Sequence, residues 1–236
     1  TPGVLARHGF DYATISRGRP DLIMFSSCLR GQTGPERTYA GFGGQGAALA
    51  GIHSVTGWPD RPPAGPWGAY TDFISPRYSL AVLAAAILDR RRTGLGQYID
   101  FSQVEASIHF IEPLILDYTV NGRVAPPAGL SSPTASPNGV YATAGTQRYI
   151  AISVETPAQW RALASVAPLD AFRAPKFDDI ALRRSVAAAI DQALCSWCHD
   201  KEPFALAGEL KAAGVPASVV LRPTDLYEDS QPLTIR

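Results

Sequence analysis

The chain has 236 residues, 46% of them hydrophobic, enough to bury one large core or two modest ones. Lys plus Arg and Asp plus Glu number 21 each, so no global field draws in nucleic acid or an anionic membrane, and any phosphate recognition must be local. No apolar run reaches the roughly 20 residues needed to cross a bilayer and no signal peptide opens the chain, so a cytoplasmic protein is expected.

In chain order, the apolar run from Asp21 to Ser27, after Arg19-Pro20, predicts a buried parallel strand. Gly31-Gln-Thr-Gly-Pro35 is a turn cluster. The mixture of glycine and apolar residues from Gly41 to Gly51 predicts a helix packed closely against another backbone. Pro59 to Gly68 is irregular and delivers the chain to Asp72 and to a helix predicted from Pro76 to Arg92. Arg90, Arg91 and Arg92 fall in its last turn, where cations complement the helix dipole. After Gly94 and Gly96, Tyr98 to Phe101 predicts a short strand, and Ser102-Gln-Val-Glu105 is a capping box that opens the next helix. This alternation indicates parallel α/β organisation.

Arg123 to Asn138 is a loop rich in Pro, Ala and Ser. Gly139 to Ala142 and Tyr149 to Val154 read as a hairpin. Thr156-Pro-Ala-Gln159 is a second capping box with Pro at the first helical position, and its helix runs to about Ala167. Helices are expected near 180–198 and 201–213, then a strand from Gly214. The division expected is a partial large domain over 1–121, a linker over 122–137 and a small α+β domain over 138–236.

Three cysteines make no disulfide framework, and Cys28 in its apolar run reads as a small core residue. Cys195-Ser-Trp-Cys198-His199 matches the pattern of c-type haem attachment. The helical periodicity of 180–197 argues instead for two cysteines that pack a helix face.

A lone carboxylate between Gly/Pro-rich sequence and an apolar helix is badly placed for simple solvation and well placed to be a nucleophile; its bland reading is a helix N-cap. The order of parts around it is Asp72, apolar helix, basic turn, Thr93-Gly-Leu-Gly-Gln97, short strand and Ser-capped helix. This order resembles the family III CoA-transferases, the formyl-CoA/carnitine-CoA (CaiB/BaiF) group. The resemblance implies a Rossmann-like large domain with a parallel sheet followed by a small α+β domain. It implies transfer of coenzyme A from an acyl-CoA to a carboxylic acid through Asp72, with no metal and no organic cofactor. It places the segment containing Val4, Arg7 and His8 against the CoA nucleotide, with Arg37 a further phosphate contact. It also implies an interlocked homodimer and, since family members extend beyond both Thr1 and Arg236, an internal segment truncated at both ends.

One departure qualifies the resemblance. The glycine-rich lid loop of formyl-CoA transferases is reduced here to Gly129 within Ala128 to Pro137, so lid and substrate should differ from that branch. Trp67 and Tyr70, leading into Asp72, are candidate walls of an acyl pocket that favours a medium-sized acid over a one-carbon unit. The acyl-CoA racemases of the same superfamily are the nearest alternative. They need a histidine where Ala40 to Gln45 offers Phe42, and His53 and His109 read as structural. An inactive fragment that only binds CoA or a partner chain is the other alternative.

Overall fold

The structure, a computed structural model, describes residues 2–228. The chain forms two compact units that meet in sequence at Gly129 and Leu130.

The first unit holds α1 (Val4–Arg7), α2 (Tyr12–Ile15), β1 (Met24–Cys28), α3 (Gly43–Leu49), α4 (Ile52–Val55), α5 (Tyr70–Thr93), β2 (Tyr98–Ser102), α6 (Gln103–Ile108) and α7 (Glu112–Asn121). Strands β1 and β2 pair in parallel, Met24 opposite Tyr98 and Cys28 opposite Ser102. The parallel α/β reading holds, with two corrections. The strand begins at Met24 because Leu22 is taken up in a turn, its N–H donating to the Arg19 carbonyl at 2.9 Å. It is also half-buried, since among the described residues its sheet has two strands.

The larger correction concerns α5, which begins at Tyr70, six residues before the predicted start at Pro76. Proline is tolerated in the second turn at a cost: it has no N–H, so the Asp72 carbonyl loses its i+4 partner. The far end matches expectation, with Arg90–Arg92 in the last turn and Gly94 left-handed at φ 77°. Of the 24 residues only Thr71, Ile74, Ser75 and Ala86 are buried, while Leu80 and Leu88 face solvent in this chain. The unit's small core joins Ala47, Ala50, Ile52 and Ile74, with Tyr70 and Ile108 packed against it.

The second unit holds β3 (Asn138–Ala142), β4 (Tyr149–Ser153), α8 (Pro157–Val166), α9 (Ile180–Ser185), α10 (Ala187–Cys198), α11 (Pro203–Ala212), β5 (Ala217–Val219) and α12 (Asp225–Glu228). Its sheet is antiparallel in the order β3-β4-β5. Alternation puts Ile150 and Ile152 inward, where they meet Trp160, Leu163, Ile190, Leu194 and Leu210. The capping box of α8 is complete: Thr156 Oγ1 accepts from the Gln159 N–H at 3.3 Å, and Gln159 Oε1 accepts from the Thr156 N–H at 3.1 Å. The helix predicted over 180–198 is two helices broken at Val186, whose φ −117° and ψ 18° are not helical. The break follows Arg183, which turns inward and is fully buried. The strand predicted from Gly214 is confined to Ala217–Val219.

Candidate active site

Asp72 is the third residue of α5, inside its first turn, and its side chain is exposed. It is not an N-cap: that position is Ala69, and no side chain caps the helix. The positive end of the α5 macrodipole favours a carboxylate there. Helix α3 passes directly beside this turn. A Cβ on Gly43 would stand 2.7 Å from the Ala69 carbonyl group, and one on Gly46 would stand 2.7 Å from the Thr71 hydroxyl, so only glycine permits the approach. The close backbone contact expected of the Gly41–Gly51 segment is therefore real, and its partner is the start of the Asp72 helix.

The loop between α4 and α5 folds back on itself. Ala64 N–H donates to the Thr56 carbonyl at 3.3 Å, and the His53 ring lies close against Gly65. His53 packs against the loop, and His109 stacks on Tyr78 with ring centroids 5.0 Å apart. Phe42 is exposed at the N-cap of α3, its N–H donating to Gln45 Oε1 at 2.9 Å. The two candidate pocket walls part company: Trp67 is 96% exposed, whereas Tyr70 packs on the small core.

Of the other candidate residues, Val4 and Arg37 are divided between two of the cavities formed by the described residues. Val4 lines a cleft of about 650 Å³ with Tyr12, Ser26, Gln32 and Tyr98. Arg37 lines a second cavity of about 450 Å³ with Arg30, Asp100 and Glu105. Arg7 and His8 are exposed at the end of α1 and, like Asp72, line neither. Arg37 is occupied locally, donating to the Gly34 carbonyl at 3.3 Å.

Asp100 is the residue that sequence reasoning missed. From β2 it accepts from the Gln32 N–H at 2.7 Å and from Thr33 Oγ1 at 3.3 Å, fixing the turn that follows β1. An acidic residue in a short strand was the available signal. Next to it Arg30 pairs with Glu36 and lies 5.0 Å from the Tyr39 ring centroid.

The two cysteines of the motif differ in burial. Cys198 is fully buried and Cys195 exposed, and burial, then the neighbouring Cys195, pushes the Cys198 thiol up to about 12. Cys198 packs the core as expected; Cys195, nearly one turn earlier and about 60° round the helix, lies on the solvent side of that face and is exposed. Among the described residues no cluster of His, Cys, Asp and Glu is arranged to hold a metal ion, and no helix is long and apolar enough to cross a membrane.

The chain is 29% identical over 229 residues to succinyl-CoA–D-citramalate CoA-transferase of Chloroflexus aurantiacus, covering 97% of this chain and 57% of that protein. It is 30% identical over 162 residues to succinate–glutarate CoA-transferase of Agrobacterium fabrum, covering 69% of this chain and 40% of that one. A CaiB/BaiF family protein from Brucella suis superposes with a TM-score of 0.87 at 26% identity, over 97% of this chain and 60% of its own. The sequence profile of CoA-transferase family III matches residues 1–234, and the chain belongs to that family.

Proposed function

We propose that the protein moves coenzyme A from an acyl-CoA donor to an organic acid, with Asp72 as nucleophile. The observation that carries this is an exposed carboxylate in the first turn of α5, beside the close approach of α3. Asp72 attacks the thioester carbonyl and expels CoA thiolate, leaving a mixed anhydride. The thiolate then attacks the aspartyl carbonyl, releasing the donor acid and forming an aspartyl-CoA thioester. The acceptor carboxylate attacks that thioester, expelling CoA thiolate once more, and the thiolate takes the acceptor acyl group and frees Asp72. Atoms and charge balance without a metal or redox cofactor.

Val4, Arg7, His8 and Arg37 are proposed as CoA contacts, the guanidinium forks suiting phosphate oxygens. The relatives named for succinyl-CoA and for citramalate or glutarate support a dicarboxylic donor and a medium-sized acid acceptor. Trp67 and Tyr70, which lead into Asp72, are proposed as aromatic walls of the acyl pocket. A Rossmann-like completion of the parallel sheet, a homodimer and a cytoplasmic location belong to the same proposal, as does activity itself, because the chain spans only 57% of the citramalate enzyme's length. Incubation of the full-length protein with succinyl-CoA should give a hydroxylamine-labile adduct on Asp72, found by mass spectrometry. An adduct on another residue would overturn the assignment.

A further inference from the structure

Thr71, one residue before Asp72, is fully buried. Its hydroxyl donates to the Gly43 carbonyl, 3.2 Å away and 28 residues earlier in the chain. The two glycines of α3 close on the same spot. A Cβ at Gly43 would meet the Ala69 backbone at 2.7 Å, and one at Gly46 would meet both the Thr71 hydroxyl at 2.7 Å and its methyl at 3.0 Å. The backbone of α3 is thereby clasped to the residues on either side of Tyr70, and Asp72 is the next side chain along.

Tyr70 and Ile74 anchor this turn in the small core, but local capping contributes little. Ala69 offers no capping side chain, and Pro76 withholds the N–H that would have bonded the Asp72 carbonyl. Packing alone does not call for a hydroxyl here, because valine has the same shape and no desolvation cost. What threonine adds is a directional bond that sets how α5 is rotated against α3.

We propose that Thr71 is a positioning residue for the Asp72 carboxylate: its bond to Gly43, admitted by two glycines, holds the first turn of α5 in the orientation that aims Asp72 at the acyl carbon. This rests on Asp72 as nucleophile. Attack needs the reacting atoms about 3–3.5 Å apart and aligned, and a misplacement of about 1 Å costs on the order of 100-fold.

The test uses the full-length protein with succinyl-CoA in single turnovers, following the hydroxylamine-labile adduct. Thr71→Val should slow adduct formation and kcat roughly 10- to 100-fold and leave KM for succinyl-CoA within about threefold. Thr71→Ser, which keeps the hydroxyl, should restore the rate to within about threefold of the parent. An unimpaired Thr71→Val, or an equal loss in the valine and serine variants, overturns the proposal. If Thr71→Val does not fold, Thr71→Ser and Thr71→Ala compared below their melting points decide it: serine faster than alanine supports the clasp, equal rates refute it. Asp72→Asn separates the two claims. If it still forms the adduct, the nucleophile assignment falls and takes the clasp with it; if it forms none while Thr71→Val is unimpaired, only the clasp falls.

Discussion

The guanidinium of Arg183 lies over the indole of Trp160, 5.2 Å from the ring centroid, with both side chains sealed from solvent. Its Nε donates to the Ser136 carbonyl at 2.7 Å, and Nη1 donates to the Phe177 and Asp178 carbonyls at 2.8 and 2.9 Å. Nη2 has no partner among the described residues, and the indole face meets the charge instead. One arginine thus ties the strand entry at Ser136 to the turn before α9. Arg183→Met would leave two buried carbonyls and a half-buried one without this donor and should destabilise the second unit by about 3 kcal/mol. Urea unfolding followed by tryptophan fluorescence measures this, and a loss below about 1 kcal/mol would contradict it.

Asp225 is buried between Arg148 Nη1, at 2.5 Å, and the backbone and side chain of Arg222. The Arg148 contact first, then the Arg222 N–H, lowers its pKa from 3.8 to about 2. Because the folded value is depressed, the stabilisation is complete above the unfolded value of 3.8 and is lost as pH falls through about 2. Acid unfolding of the parent should therefore carry a component in this window that Asp225→Asn lacks, and the variant should be less stable at neutral pH. Identical acid transitions would exclude the linkage.

At pH 8 a thiol reagent should modify Cys195 before Cys198. Burial holds the Cys198 thiol at about 12, so almost none of it is thiolate, and its sulfur is also shielded. Peptide mapping after timed labelling should show at least about a tenfold rate difference that disappears in denaturant. Comparable rates in the folded protein would mean that α10 opens readily.

Asp72→Asn should lower CoA transfer by at least about 1,000-fold and change stability by no more than about 0.5 kcal/mol, because the side chain is exposed. In a panel of acceptors, dicarboxylic acids of four or five carbons should exceed oxalate and formate, and Trp67→Ala should narrow that gap. Strict preference for oxalate would remove the pocket argument without touching Asp72.

What the sequence determined by itself is what neighbours along the chain decide. The Thr156–Gln159 box, the inward alternation of Ile150 and Ile152, and the Arg90–Arg92 turn closed by Gly94 depend on residues within a few positions of each other. The order of motifs around Asp72 was likewise legible, and with it the family. Tertiary structure decided the rest. Pro76 reads locally as a helix start, yet α5 begins at Tyr70, where Thr71 and Ala69 meet the glycines of α3. The helix expected over 180–198 breaks after Arg183 only because that side chain turns in to carbonyls, one of them 47 residues away. Asp100 acquires its part only when β1 and β2 pair and bring Gln32 and Thr33 to it. In each case the bond joins groups whose separation in sequence carries no periodicity, and a buried polar group finds its partner only after the backbone has closed around it.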